Sequence, residues 1–186
     1  MFTGIIETTA QIESQKKNDK NIRISISLSK KWKLKVGDSV AVSGVCLTVA
    51  EITKDRYFFD IIPETLSKTT FGKEIYEFVN IERPLVYGER VHGHIVSGHV
   101  DCVGVVAQIS SVDGYRIEIS YPKKFKKYIV SKGSITVDGT SLTVAESKSS
   151  SFVVALVPHT LKVTTLSRLK KGDLVNLEFD LAGKYR

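Results

Sequence analysis

Residues 43–52 read SGVCLTVAEI and residues 138–147 read DGTSLTVAES, nearly the same phrase 95 positions apart. One copy would be enough to pack a core, so a second copy in a chain of 186 residues needs a reason. The likeness spreads outward from this phrase. Ser39 of GDSVAV aligns with Ser134 of KGSITV, and DIIPETLSKTTFG aligns with ALVPHTLKVTTLS, pairing Pro63 with Pro158, Thr65 with Thr160 and Thr70 with Thr165. FVNIE at 78–82 answers LVNLE at 174–178 with an offset of 96, and FTGIIE from Phe2 answers VSGHVD from Val96 with an offset of 94. Offsets that drift by a single residue mean a duplicated unit. Two copies at this spacing are not a solenoid array, which uses shorter periods and more repeats. The seam falls near ERVHGHIV, which predicts domains at 1–94 and 95–186.

Within each unit the pattern is β. IRISISL at 22–28 alternates apolar and polar residues, while YFFDII at 57–62 and FVVALV at 152–157 are β-branched and aromatic runs bounded by turn residues. Turn signals such as KVGD, TKDR and VDG separate them. Only ETLSKTTF and PKKFKKYI read as short helices. Many short strands in about 90 residues predict a small antiparallel barrel, closed or nearly so, which protects its own edges.

The gross numbers exclude several classes. The hydrophobic fraction of 42% and charged fraction of 25% are those of an ordinary globular protein. No stretch approaches the ~18 apolar residues of a membrane helix, and the start lacks the basic and long apolar runs of a signal peptide. Cys46 and Cys102 are too few for a disulfide framework and are read as free thiols. The net charge of +7 comes largely from Lys30, Lys31, Lys33 and Lys35 and from Lys123, Lys124, Lys126 and Lys127. No arginine stripe or aromatic stacking motif accompanies them, so they read as solvated surface, not a nucleic-acid site.

Alternation in a strand places Val45, Leu47 and Val49 on one face and Cys46, Thr48 and Ala50 on the other. The second copy places Thr140, Leu142 and Val144 opposite Ser141, Thr143 and Ala145. One face suits a core. The other is small and mildly polar, which lets a flat heterocycle approach the backbone among hydroxyls. A solvated Ser/Thr face is the plain alternative for either strand, but two matched copies favour binding.

MFTGIIE, SGVCLTV, IPETLSKTT, ERPL, GHIVSGHVD, KGSITVDGTSLTV, VPHTL and VNLEFD together resemble the α-type riboflavin synthase family, over almost the whole chain and in the expected order. The resemblance implies an all-β fold of two similar six-stranded antiparallel Greek-key barrels. It implies dismutation of two molecules of 6,7-dimethyl-8-ribityllumazine to riboflavin and 5-amino-6-(ribitylamino)uracil, with no cofactor and no metal. Twin pockets then bind two copies of one substrate, with differences such as Cys46 against Ser141, Glu64 against His159 and Ile5 against His99 serving unequal roles. A cytoplasmic homotrimer is further implied, and association with a lumazine synthase shell is left open. Family members continue past VNLEFD into a C-terminal helix that helps three subunits associate, whereas this sequence reads LAGKYR and stops, which bears on the trimer.

By the same likeness the first pocket takes Gly4, Ile5 and Ile6 with Cys46, Leu47 and Thr48, walled by Asp60, Ile61, Ile62, Pro63, Glu64 and Thr65. The second takes Gly98, His99 and Val100, then Lys132, then Ser141, Leu142 and Thr143, and finally Val157, Pro158, His159, Thr160, Leu161 and Lys162. Ser39, Asp138 and Asp180 are polar motif positions near the site, and Phe2 is the N-terminal aromatic. Cys46, Ser141, His99, Asp180 and Phe2 are the catalytic candidates. Each has a plainer reading. Cys46 can be a small buried hydrophobe, Lys132 a surface lysine and Asp180 the cap of a following turn. Ser141 lacks a GxSxG context. His92, His94 and His99 spell HxHxxxxH without an acidic or thiol ligand at a fixed offset, which speaks against a metal. A non-catalytic antenna protein holding a lumazine or flavin is the alternative function. It is expected to have eroded motifs in one half, which are intact here.

Overall fold

The computed structural model describes residues 1–29, 32–75, 77–112 and 114–185. Twelve strands form two closed antiparallel barrels with identical winding. The first is built from Thr8–Asn18 (β1), Asn21–Ser27 (β2), Ser39–Val42 (β3), Val45–Thr53 (β4), Arg56–Ile61 (β5) and Phe78–Glu82 (β6), paired in the order β1-β2-β5-β4-β3-β6. The second uses Cys102–Ser110 (β7), Tyr115–Ser120 (β8), Ser134–Val137 (β9), Thr140–Ser147 (β10), Ser151–Leu156 (β11) and Leu174–Phe179 (β12), in the corresponding order. The predicted strands and the six-strand count per unit are found. So is the helix at Pro63–Lys68 (α1). PKKFKKYI forms a 3-10 turn over Lys123–Tyr128, and Pro158–Val163 (α2) repeats α1. Proline at the first helical turn sets φ for both α1 and α2. A last short helix, Leu181–Lys184 (α3), follows β12.

Barrel closure needs sharp local curvature, and equivalent bulges supply it. The register shifts between Ile12 and Ser14 in β1, between Val49 and Glu51 in β4, and at the matching positions Val106/Gln108 and Val144/Glu146. Each barrel then encloses its own core. Ile24, Ile26, Val40, Phe59 and Ile81 fill the first, and Ile117, Ile119, Ile135, Phe152 and Leu177 the second. The alternation in β4 is as expected, with Val45, Leu47 and Val49 buried and Thr48 and Ala50 exposed. In β10 Thr140 occupies the place of Val45, and its buried hydroxyl has no hydrogen-bond partner among the described residues.

The repeated phrase begins with the contact that joins the barrels. Ser43–Gly44 and Asp138–Gly139 are two-residue hairpin turns with φ of 43°, 79°, 44° and 79°, the pattern of a type I′ turn. They meet back to back. A Cβ on Gly44 would lie 2.6 Å from the Gly139 nitrogen, so only glycine permits this approach. On either side the central asparagines of VNIE and VNLE cross the seam. Asn80 Nδ2 donates to Asp138 O at 2.9 Å and its Oδ1 accepts from Thr165 N at 2.8 Å. Asn176 mirrors this with Ser43 O at 2.9 Å and Thr70 N at 2.8 Å.

Among the lysines, Lys33, Lys35, Lys123, Lys124 and Lys127 are exposed, as the sequence suggested, while Lys30 and Lys31 lie outside the described residues. Among the described residues no helix is long and apolar enough to cross a membrane.

Candidate functional site

Two carboxylates in equivalent positions build the site. Glu82 at the end of β6 accepts hydrogen bonds from Thr3 N (2.7 Å), Thr3 Oγ1 (2.8 Å) and Gly4 N (3.0 Å). Glu178 at the end of β12 accepts from Ser97 N (2.7 Å), Ser97 Oγ (2.6 Å) and Gly98 N (2.9 Å). Burial pushes the Glu82 carboxyl above the ordinary range, and the hydrogen bonds from Thr3 and Gly4 oppose that rise. Each carboxylate thus pins a glycine loop whose carbonyl points away from its own barrel.

The loops are exchanged between barrels. Gly4 O accepts from Ser141 N at 2.7 Å, and Gly98 O accepts from Cys46 N at 2.9 Å. This corrects the sequence-based grouping. Gly4, Ile5 and Ile6 belong with Ser141 of the second barrel, and Gly98, His99 and Val100 belong with Cys46 of the first. The reason is geometric: Phe2 and Val96 pair as an antiparallel bridge (N···O 2.7 and 3.0 Å), and this crossing carries each strand end to the opposite barrel. Val100 accordingly packs into the first core.

The first cradle is a cavity of about 380 Å³ lined by Val45, Cys46, Glu64, Thr65, Lys68, Thr69, Gly98, His99 and Val100. Cys46 is half-buried and a free thiol, and its sulfur makes no hydrogen bond among the described residues. Glu64 and Lys68 pair at 2.9 Å across one turn of α1, which holds the Glu64 carboxyl below its usual range. His99 is exposed at the mouth, with Ile62 behind the start of α1. Cys102, by contrast, lies in the second core, where burial pushes its thiol up to about 12.

The second cradle repeats this with Ser141 in place of Cys46, Ile5 in place of His99, and α2 in place of α1. Leu142, Thr160 and Leu161 are half-buried, while Thr143, Val157, Pro158, His159 and Lys162 are exposed. Here an extra side chain enters. His94 Nδ1 lies 2.7 Å from Ser141 Oγ, its Nε2 lies 3.3 Å from Thr136 Oγ1, and its backbone N–H donates to Thr3 O. Burial pushes the imidazole below its ordinary value, opposed by the negative charges of Asp180 and Glu178.

Other expected residues fall elsewhere. Asp138 is not in a cradle. It sits in the seam, with Oδ1 accepting from Asn176 N at 2.8 Å, and faces a cavity of about 350 Å³ between the barrels. Burial pushes its carboxyl up to about 7. A hairpin turn needing φ above zero explains the Asp-Gly pair without reference to ligand. Asp60 projects outward from β5 and is gripped by Arg23 at 2.7 and 2.9 Å, which holds it below the usual carboxylate range, while Ile61 points into the core. Phe2 is fully buried against Ala41 and Val96, a wall behind Gly98 and Cys46 and not an acid or base. Ser39 pairs with Thr48 across β3 and β4. Lys132 is exposed in the turn before β9, at φ 69°, with its N–H on Val144 O. Asp180 caps α3 through Ala182 N, and its charge also reaches His94. Glu82, Glu178, Asn80 and Asn176 escaped notice as functional residues, although the matched VNxE phrases carried the signal. In the sequence His94 stands out only as part of HxHxxxxH, a metal-ligand spacing, and its contact with Ser141 is not visible there. Among the described residues no group of three or more His, Cys, Asp or Glu side chains could hold a metal ion.

Two closed barrels that exchange glycine loops at matched cradles define a duplicated ligand-binding protein. Residues 3–84 and 97–180 each match the lumazine binding domain, and the chain belongs to that family. It is 42% identical to a riboflavin synthase from Actinobacillus pleuropneumoniae and 39% identical to one from Bacillus subtilis (strain 168), in each case over 100% of this chain and 87% of the relative. Among solved structures it resembles LumP complexed with riboflavin (TM-score 0.88, 28% identity, 96% of this chain and 99% of that one). It also resembles LumP complexed with 6,7-dimethyl-8-(1'-D-ribityl) lumazine (TM-score 0.85, 28% identity, 96% and 98%).

Proposed function

We propose that this chain is a riboflavin synthase, a transferase that converts two molecules of 6,7-dimethyl-8-ribityllumazine into riboflavin and 5-amino-6-(ribitylamino)uracil. The observation that carries the reading is the matched construction of both cradles. Each has a carboxylate-pinned glycine carbonyl facing a strand N–H next to a small polar side chain, at Gly98–Cys46 and Gly4–Ser141. A dismutation uses one molecule as four-carbon donor and another as acceptor, so two like cradles with unlike side chains fit it. Holding two flat rings face to face makes the encounter effectively unimolecular, worth ~7–11 kcal/mol when alignment is good. The substrate supplies the reactive carbon, since its ring delocalises the anion formed at the C7 methyl. The protein must position, exclude water and move protons.

Of the candidate site residues named from the sequence, those on the cradle walls remain proposed ligand contacts, with the two glycine loops exchanged as above, while Asp60, Ile61 and Asp138 are left out of the proposal. The division at 94/95 is kept as the proposed domain boundary, although each half lends a loop to the other. A cytoplasmic homotrimer is proposed as well. Ile5, Ile62 and Val157 are 43%, 51% and 60% exposed beside the cradles, apolar surface that a neighbouring subunit would cover. Enclosure in a lumazine synthase shell is a further proposal of the family resemblance. The test supplies the lumazine alone: riboflavin at half the molar amount consumed supports the enzyme. A tightly held ligand with no product would favour the antenna-type binding protein instead.

A further inference from the structure

The cradles agree in backbone and differ in acid–base equipment. Ser141 has a histidine on its hydroxyl at 2.7 Å, whereas the Cys46 thiol has no hydrogen-bond partner among the described residues. His94 is held on three sides. Its N–H is tied to Thr3 O, Thr136 Oγ1 faces its Nε2, and Ser141 Oγ faces its Nδ1. Thr136 is only 1% exposed, so the imidazole contact toward ligand runs through Ser141. Gly93 presses the same strand, with the place of its missing Cβ 2.0 Å from Thr3 O and 3.0 Å from Ser141 Cβ, which fixes the histidine's approach.

We infer that His94 is a positioning residue that takes up, through Ser141, a proton released by the lumazine bound in the second cradle. The inference rests on the proposed dismutation. A C–H bond of the C7 methyl breaks and its electron pair stays in the ligand ring. The proton passes to Ser141 Oγ as the serine's own proton passes to His94 Nδ1. The resulting imidazolium keeps its Nε2–H on Thr136 Oγ1, and the charges of Asp180 and Glu178 offset its own. The groups paired with the ring nitrogens, Ser141 and Thr136, are uncharged, as is Thr3, which holds the backbone N–H. Reversal of the same steps returns the proton to the product. Burial keeps the resting imidazole neutral near pH 7 and so able to accept. The first cradle, lacking this relay, is left to bind the partner molecule.

The test compares His94→Ala and His94→Asn with the unmodified chain, using 6,7-dimethyl-8-ribityllumazine. Both variants are expected to bind two ligands per chain, with KM within about threefold. Both should lose turnover by roughly a hundredfold, the usual worth of a positioned proton acceptor, along with the acidic limb of the kcat–pH profile. Asparagine can keep the hydrogen bond to Ser141 but cannot store the proton, so restoration of turnover by His94→Asn would overturn the inference. An unchanged rate and pH profile in His94→Ala would do the same. A second readout does not depend on turnover. The ring nitrogen-15 resonances of His94 should move when lumazine binds, and should stay put in Ser141→Ala. Absence of that movement in the unmodified chain overturns the inference even if riboflavin is made. Absence of riboflavin from the unmodified chain defeats the proposed function separately.

Discussion

Gly98→Ala should abolish the Cys46 cradle and spare the Ser141 cradle. Gly98 has φ of 79°, and an alanine Cβ would sit 2.6 Å from Cys46 Cβ and 3.0 Å from a Phe2 ring carbon. Left-handed backbone costs alanine ~1–2 kcal/mol. Overpacking against a strand costs ~1–3 kcal/mol. Displacing the loop also breaks the 2.9 Å bond from Cys46 N to Gly98 O, worth ~0.5–1.5 kcal/mol. Together these amount to about 3–6 kcal/mol focused on one pocket wall, or a loss of affinity on the order of 10²–10⁴-fold there. Calorimetric titration with the lumazine should show one tight ligand per chain in place of two. Alkylation identifies the survivor, because bound ligand should protect the Cys46 thiol in the unmodified chain and in Gly4→Ala, but not in Gly98→Ala. If protection of Cys46 fails in Gly4→Ala and persists in Gly98→Ala, the exchange of loops is wrong and each loop serves its own barrel.

Further outcomes follow from the same contacts. Asn176→Ala leaves Thr70 N and Ser43 O unpaired in the seam and should lower stability by about 2–5 kcal/mol in urea unfolding, with Asn80→Ala similar. Asp138 has a raised folded pKa of about 7, so the native chain binds more protons than the unfolded chain between about pH 4 and pH 7. Stability should therefore fall as pH rises through that window, by up to about 4 kcal/mol, and Asp138→Asn should flatten the slope. Iodoacetamide should modify one thiol per native chain, the half-buried Cys46, while Cys102 reacts only on unfolding because burial pushes it up to about 12.

The barrels were legible because strand periodicity is local. Val45, Leu47 and Val49 announce a buried face on their own, and Asp138–Gly139 announces its turn. Pro63 and Pro158 likewise mark helix starts within a few residues. What could not be read is anything that depends on which loop crosses to which barrel. Gly4 and Gly98 occupy equal places in the repeat, so the sequence assigns each to its nearer neighbour, and only the Phe2–Val96 bridge reveals the exchange. Asn80 and Asn176 looked like ordinary strand residues because their partners lie 58 to 133 positions away. Asp138 looked like a ligand contact because a buried carboxyl at a tight turn and a carboxyl in a pocket share one spelling. His94 sits in a linker without periodicity, and its role depends on Ser141, 47 positions on.

The most direct measurement counts ligands. Titrating the intact chain with 6,7-dimethyl-8-ribityllumazine under conditions that suppress turnover should give two bound molecules per chain, one protecting Cys46 and one perturbing His94. Saturation at one molecule, with either reporter silent, would contradict the account of paired cradles.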